Sequence, residues 1–268
     1  MKVQNKVIVV TGGGSGMGRE LVLHLLSKQA KVITVDINES ALQETVSLAA
    51  SKKDSLKTFV VDITNKTAVE QLLNDAVEAF GSVDGIINNA GIIQPFIKVN
   101  ELSYETIDRV MNINFYGTLF ITKTFLPHLL TRPEAHIVNV SSMGGFLPVP
   151  GQTIYGASKA AVKLLTEGLY SELANTNVKV TVVFPGAVNT NITKNSGLNT
   201  ATSSSTVNNP VKILSAAKAA QIIIDAMEKD RCRVLVGKDA AFMDLIYRLN
   251  PQRAARFINK KMQQLLVK

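Results

Sequence analysis

Val7-Ile8-Val9-Val10, followed by Thr11-Gly12-Gly13-Gly14-Ser15-Gly16-Met17-Gly18, decides how this chain is read. The first run is apolar at every position, as expected of a strand buried on both faces. Arg19-Glu20-Leu21-Val22 then opens a helical pattern, so the glycines form a strand-to-helix turn. Glycine lets the backbone come close there, and N–H groups at a helix N-terminus can meet a pyrophosphate. The spacing is GxxxGxG through Gly12, Gly16 and Gly18, whereas GxGxxG would need a glycine where Met17 stands. A merely tight turn is the alternative, and the strand–turn–helix context speaks against it.

Outward from this turn the same alternation repeats. Strand-like runs cover Lys6–Val10, Lys31–Val35, Lys57–Val61, Val83–Asn88, Ala135–Val140, Val178–Phe184 and Arg233–Val236. Amphipathic stretches near 17–28, 39–50, 66–80, 103–130, 153–174 and 215–229 separate them. Strands alternating with helices predict an α/β fold with a parallel sheet covered on both faces. A chain of 268 residues suits one such core. From Asn189 to Pro210 the chain is rich in Asn, Ser and Thr and poor in large apolar residues. That stretch is either a surface loop or a substrate lid over about 189–214.

Composition excludes several functions. Cys232 is the single cysteine, so no intrachain disulfide or thiolate metal cluster can form. His24, His128 and His136 show no ligand spacing, so no metal site is expected. No apolar run approaches the ~18 residues of a membrane span. The N-terminus lacks the shape of a signal peptide, which points to the cytoplasm. The net charge is +8, and Arg231 to Lys268 carry nine basic and two acidic residues. A nearly neutral body with a basic tail argues against nucleic acid as partner.

Chemistry-bearing residues gather at the ends of the strand runs. Asp36 ends the second run, 18 residues after Gly18, where an acid can bond both adenosine ribose hydroxyls and repel a 2′-phosphate. The other reading of Asp36 is a cap on the helix that starts near Asn38. Asp62, with Ile63, ends the third run, from where it could reach an adenine amino group, and Asn88-Asn89-Ala90-Gly91 ends the fourth. Tyr155 and Lys159 are four apart on a helical stretch and share one face. An ammonium beside a phenol should lower the phenol pKa and make it an acid/base. Ser142 precedes Tyr155 by 13 residues, and Asn114 lies inside the long stretch 103–130.

This set, in this order, resembles the short-chain dehydrogenase/reductase family from residue 11 to about 190. The resemblance implies a Rossmann fold, three layers around a doubly wound sheet of seven parallel strands in the order 3-2-1-4-5-6-7. It also implies reversible NAD(P)-dependent oxidation of an alcohol to a carbonyl. By resemblance, Tyr155 exchanges the hydroxyl proton, Lys159 holds the nicotinamide ribose and lowers the Tyr155 pKa, and Ser142 orients the carbonyl oxygen. Asn114 anchors a water linked to Lys159. Pro185, Gly186, Val188 and Thr190 receive the nicotinamide carboxamide. Asp36 and the uncharged Ser15 favour NAD over NADP.

Ser141 competes with Ser142 for the substrate role, and the 13-residue spacing favours Ser142. Met143, Gly144 and Gln152 are further substrate contacts, with Ile93, Gln94, Phe96, Phe146 and Phe184 as pocket candidates. They suit a moderately hydrophobic ketone or secondary alcohol. A 3-oxoacyl thioester reductase using NADP, and a cofactor-sensing binding protein, are the alternatives. Residues 1–237 form the catalytic domain and 238–268 an extension. In that extension Phe242, Leu245, Ile246 and Leu249 share one helical face, and Pro251 opens a second helix. On the second helix, Ala254, Phe257, Ile258, Met262 and Leu265 face one way and Arg253, Arg256 and Lys260 another. The extension either packs by its apolar faces or touches an anionic membrane surface or acidic partner. A homodimer through 103–130 and 153–174 is expected rather than a tetramer.

Overall fold

A computed structural model describes residues 1–198 and 213–266, with side chains to residue 262. Most of the expected lid, and Leu265, lie outside the described side chains. The strands are β1 (Val7–Thr11), β2 (Lys31–Asp36), β3 (Leu56–Val60), β4 (Gly85–Asn88), β5 (Ala135–Val140), β6 (Val178–Pro185), β7 (Val188–Asn189), β8 (Leu214–Ser215) and β9 (Arg233–Val236). Seven of them form one sheet in the order β3-β2-β1-β4-β5-β6-β9, and β7 pairs with β8 separately. Every pairing in the large sheet is parallel. Strand order reverses between β1 and β4, where Ile8 pairs with both Val32 and Gly85. A crevice opens at the carboxyl ends of the strands at such a point.

The helices are α1 (Gly16–Ser27), α2 (Glu39–Ala49), α3 (Lys66–Phe80), α4 (Tyr104–Met111), α5 (Thr118–Leu130), α6 (Thr153–Glu172), α7 (Ile192–Asn195), α8 (Ala216–Met227), α9 (Lys238–Leu249) and α10 (Pro251–Leu266). Local chemistry sets their starts. Asn38, Asn65, Ser103 and Ser215 each accept a backbone N–H three residues on, at α2, α3, α4 and α8. Asn38, not Asp36, therefore caps α2.

The sheet divides two apolar layers. Ile8, Val10 and Val32 face Leu21, Leu25, Ile223 and Met227. Val7, Val9 and Ile33 face Leu72, Phe125 and Leu169 on the opposite side. Alternate residues of a strand point to opposite faces, so a run apolar at every position is what a doubly covered sheet requires.

Two expectations need correction. The stretch 103–130 is not one regular helix: a π-helical turn, Asn112–Gly117, separates α4 from α5. In the extension, Phe242, Leu245 and Leu249 are exposed, while Ala240, Met243 and Asp244 are buried. The body is gripped instead by two paired hydrogen bonds from Arg233 to Asp244, at 3.0 and 2.7 Å. These turn the Ala240–Met243 side inward. Ala254 and Ile258 of α10 pack with Met243 on Leu147, whereas Phe257 is left partly exposed. No described helix is long and apolar enough to cross a membrane.

Candidate active site

A cleft of about 710 Å³ runs along the carboxyl edge of the sheet. Gly12, Ser15, Gly16, Met17, Gly18, Asp36, Asp62, Ile63, Asn89, Ala90 and Gly91 line it, with Ser142, Tyr155, Lys159, Pro185, Gly186, Val188 and Thr190 further along. Residues from seven separate segments of the sequence are thus brought to one crevice.

At one end the glycine turn fits a diphosphate. Gly12 and Gly16 have positive φ, 71° and 52°, which favour glycine. A Cβ on Gly18 would lie 2.0 Å from the Gly12 carbonyl oxygen. Ser15 stands at the N-cap of α1 but its side chain caps nothing, and no acid sits in the first turn. The first N–H groups of α1 thus lack an intrahelical partner and carry the positive end of its dipole, a site for an anion. The Ser15 hydroxyl accepts a hydrogen bond from Asn195 Nδ2 at 2.8 Å instead.

Beyond the turn, Asp36 accepts from Gly14 N at 3.0 Å through one carboxylate oxygen and from Asn38 N at 3.0 Å through the other. A carboxylate has about four acceptor sites, so both oxygens keep capacity for a ligand. Arg19 points elsewhere: it donates to Glu44 and to the Gly14 carbonyl. Asp62 accepts from the Thr64 N–H and hydroxyl, each at 2.8 Å. Thr11 Oγ1 accepts from Asn89 N and Ala90 N, fixing the loop after β4 against β1.

Tyr155 and Lys159 sit deeper. Lys159 is buried and donates to the Val140 carbonyl at 2.9 Å. Burial lowers its pKa to about 8. Burial raises the Tyr155 phenol above its ordinary value, while the Ser142 hydroxyl beside it pulls the other way. The expected lowering of Tyr155 by Lys159 is therefore not what the protein alone shows: desolvation outweighs it, and the ammonium is turned to the β5 carbonyl. Ser141 spends its hydroxyl on the Lys159 carbonyl at 2.7 Å. Ser142 accepts from Gly144 N at 3.1 Å, and its own hydroxyl faces the Tyr155 phenol.

Asn114 lies beneath the cleft. Its side chain donates to Ile92 O at 3.0 Å and Ser158 Oγ at 2.9 Å, and accepts from Ile92 N at 2.9 Å. A Cβ on Gly91 would stand 3.1 Å from both Asn114 Oδ1 and Lys159 Nζ, so both polar atoms border the space that this glycine leaves open.

The expected substrate contacts Met143, Gly144 and Gln152 stand beside the main cleft rather than in its lining: Gly144 N donates to Ser142 Oγ, and Gly144 and Gln152 line a neighbouring cavity of about 540 Å³. Met143 packs with the extension, and Gln152 is buried with Nε2 donating to Gln94 O at 2.8 Å. Gln94 is also buried, and its Oε1 accepts from Ile154 N at 2.8 Å and Tyr155 N at 2.9 Å. Phe184 is core, under the Arg233 guanidinium at 4.7 Å. Of the other candidates, Ile93 lines the cleft.

Sequence reasoning missed Arg109, Asn195, Ser196 and Asp239. Arg109 lines the cleft and donates to Ser196 O at 3.3 Å, and Ser196 Oγ accepts from Ile93 N at 2.9 Å. Asp239 accepts from Ala187 N at 2.6 Å, so α9 braces the Pro185–Val188 segment. The described start of the expected lid is thereby fastened over the cleft. No group of three or more metal-ligating side chains occurs among the described residues.

An α/β sheet with a glycine turn, an acid at the end of β2 and a Ser-Tyr-Lys group lining the same cleft defines a nucleotide-dependent oxidoreductase. The short-chain dehydrogenase family model matches residues 6–201, and the chain belongs to that family as an NAD(P)-dependent dehydrogenase/reductase. SadH of Mycobacterium tuberculosis, named as an oxidoreductase, is 36% identical over 92% of this chain and 91% of its own length. A short-chain dehydrogenase/reductase from Burkholderia phymatum in complex with NAD superposes with a TM-score of 0.84 and 28% identity, over 94% of this chain and 96% of that one. ElxO with NADP bound superposes with a TM-score of 0.76 and 28% identity, over 87% of this chain and 96% of that one.

Proposed function

We propose that this protein interconverts a moderately hydrophobic secondary alcohol and its ketone, or a primary alcohol and its aldehyde, with NAD as the partner of the reaction. The observation that carries this reading is the Ser142–Tyr155–Lys159 group, with half-buried Ser142 and Tyr155 and buried Lys159 lining the same cleft that begins at the glycine turn. When bound, the nicotinamide supplies or accepts the hydride. The glycine turn would hold the diphosphate, Asp36 the adenosine ribose and Asp62 with Ile63 the adenine. Asn89–Gly91, Pro185, Gly186, Val188 and Thr190 would hold the nicotinamide half.

The chain's residues handle position and proton. Ser142 donates a hydrogen bond to the substrate oxygen, keeps its proton, and fixes the oxygen's orientation. In reduction Tyr155 Oη gives its proton to the oxygen as the C–H bond forms, and in oxidation the phenolate takes that proton back. Lys159 supplies the positive charge that steadies the phenolate, and Asn114 holds the Gly91 loop and Ser158 around it. Apolar Ile92, Ile93, Ile113 and Ile192 line the cleft, which suits an apolar substrate body.

NAD is favoured because, among the described residues, no cation lines the cleft beside Asp36: its neighbours there are Ile37, Asn38 and Ala41. A 2′-phosphate would face the carboxylate alone. We also propose a catalytic domain ending at Gly237 and a homodimer through 103–130, which spans α4, the π-helical turn and α5, and 153–174, which contains α6. Leu130, Leu164 and Tyr170 are exposed on these segments.

Fluorescence titration with NADH and NADPH tests the cofactor. NADH binds at least tenfold more tightly, Asp36→Ala narrows the gap, and equal affinities in the unaltered protein defeat the assignment. In the same titration Tyr155→Phe keeps NADH binding, while turnover on a ketone and alcohol panel falls at least 100-fold. Substantial turnover in that variant removes Tyr155 from the proton step. A stable tetramer in light scattering rejects the dimer.

A further inference from the structure

The extension leaves a large apolar surface uncovered. Phe242, Leu245 and Leu249 of α9 are 53%, 58% and 77% exposed, and Phe257 of α10 is 39% exposed. The Phe242 and Phe257 rings meet edge to face at 6.4 Å, so the exposed rows of the two helices join. Each helix meanwhile has a different face committed inward, through Ala240 and Met243 on one and Ala254 and Ile258 on the other. The uncovered row is therefore surplus to packing, and an apolar patch of this kind marks a contact surface.

The charge around it has one sign. Arg253, Lys260 and Lys261 stand at helical spacings of three or four residues from Phe257, and Lys261 Nζ lies 5.0 Å from its ring centre. Arg253, Arg256, Lys260 and Lys261 are exposed and form no ion pair among the described residues. The two acids of the extension are used inward: Asp239 by the Ala187 N–H, and Asp244 by Arg233 and Arg248. From residue 245 to residue 268 there is no Asp or Glu. A second copy presenting the same cationic surface would be repelled. An anionic bilayer offers both matching halves, an apolar interior for the rings and leucines and phosphate headgroups for the bases.

We infer that the α9–α10 surface seats the protein on anionic lipid, with Phe242, Leu245, Leu249 and Phe257 entering the headgroup boundary and Arg253 and Lys260 meeting lipid phosphates. This is independent of which alcohol the enzyme uses. The full-length protein is tested by co-sedimentation with vesicles of phosphatidylcholine alone and of phosphatidylcholine with phosphatidylglycerol. It pellets with the anionic vesicles and not with the neutral ones, and binding weakens as salt rises. Leu245→Ser/Leu249→Ser and Arg253→Glu/Lys260→Glu each weaken it tenfold or more, with thermal midpoints near that of the parent showing that both variants fold.

The chain contains no tryptophan, so Phe242→Trp is a clean reporter. Its emission shifts to the blue on anionic vesicles, while Tyr104→Trp, exposed on α4, does not respond. Absence of binding, or equal binding to both vesicle types, overturns the inference. Binding untouched by either double variant also overturns it. Light scattering in which Leu245→Ser/Leu249→Ser dissolves an oligomer, with no vesicle binding by the parent, gives the face to a second copy instead.

Discussion

Tyr155 and Lys159 stand on one face of α6, yet burial drives them in opposite senses, the phenol up and the ammonium down to about 8. The phenol therefore keeps its proton at neutral pH, which suits donation to a carbonyl. Taking a proton from an alcohol requires the phenolate, whose fraction grows as pH rises toward the elevated pKa. Turnover of the alcohol should rise roughly tenfold per pH unit at first, from pH 7 upward, and turnover of the ketone should fall only at the alkaline end. As Lys159 loses its charge through pH 8, support for the phenolate weakens and the oxidation curve bends below that slope. Turnover measured against pH in both directions checks this, and an oxidation rate that is flat or falls between pH 7 and 9 contradicts it. The distinction between Ser141 and Ser142 was legible at this scale, since spacing alone separates them. The pKa directions were not: a pair four apart reads as charge beside phenol, and only the closed structure shows that desolvation is the larger effect.

Helix α6 carries Tyr155 in its first turn, so whatever fixes that turn fixes the phenol. Ser, Thr, Asp or Asn usually caps such a start, but here Gln94, from a loop about 60 residues away, accepts from Ile154 N and Tyr155 N. Its Nε2 donates to the Gly151 carbonyl at 3.0 Å, closing the cap on both sides. Gln94→Met would leave two N–H groups without partners, while Gln152 Nε2 would still donate to the Gly151 carbonyl. The cost is about 2 kcal/mol of stability, from the ~1–3 kcal/mol of an unmet buried hydrogen bond. Turnover should drop 10-fold or more, while NADH affinity changes less than threefold. Gln94→Glu, which keeps an acceptor at the helix start, should recover much of the turnover. Thermal unfolding and kinetics on the two variants check this, and equal losses in both show that the acceptor is not what matters. Periodicity revealed that α6 exists but could not reveal a cap supplied from a distant loop. For the same reason 103–130 read as one helix. A single π-helical turn barely disturbs the apolar spacing, yet it aims Asn114 at Ile92 and Ser158. π-Helical turns recur at functional sites.

Across the whole molecule, the parallel sheet explains why so much of the candidate site was readable. Each motif follows a strand in sequence, and all carboxyl ends of a parallel sheet reach one edge, so residues near 12, 36, 62, 89, 142 and 185 converge on one cleft. Contacts that bridge separate layers left no such mark. Ser15 with Asn195, Ala187 with Asp239, and Arg233 with Asp244 depend on how finished elements pack. The last of these ties the extension to the body. Arg233 lies over the Phe184 ring and grips Asp244, whose carboxyl it holds below the ordinary carboxylate range, with Arg248 adding a contact at 3.1 Å. Arg233→Met strands a carboxylate that is only 10% exposed. Breaking a fully buried pair costs about 3–5 kcal/mol; with Arg248 still present, about 2 kcal/mol is expected. That corresponds to a midpoint roughly 4–8 °C lower at pH 7. The sign with pH follows from the depressed pKa. The pair stabilises the fold above the ordinary carboxylate pKa, and its contribution is lost as pH falls through the lowered value, so parent and variant converge in acid. Arg233→Met/Asp244→Met, which removes both charges, should regain most of the loss. Thermal unfolding of parent, single and double variants at pH 7 and in acid well below the ordinary carboxylate pKa of 3.8 measures it. A single variant as stable as the parent at pH 7 would mean that apolar packing on Leu147 alone holds the extension in place.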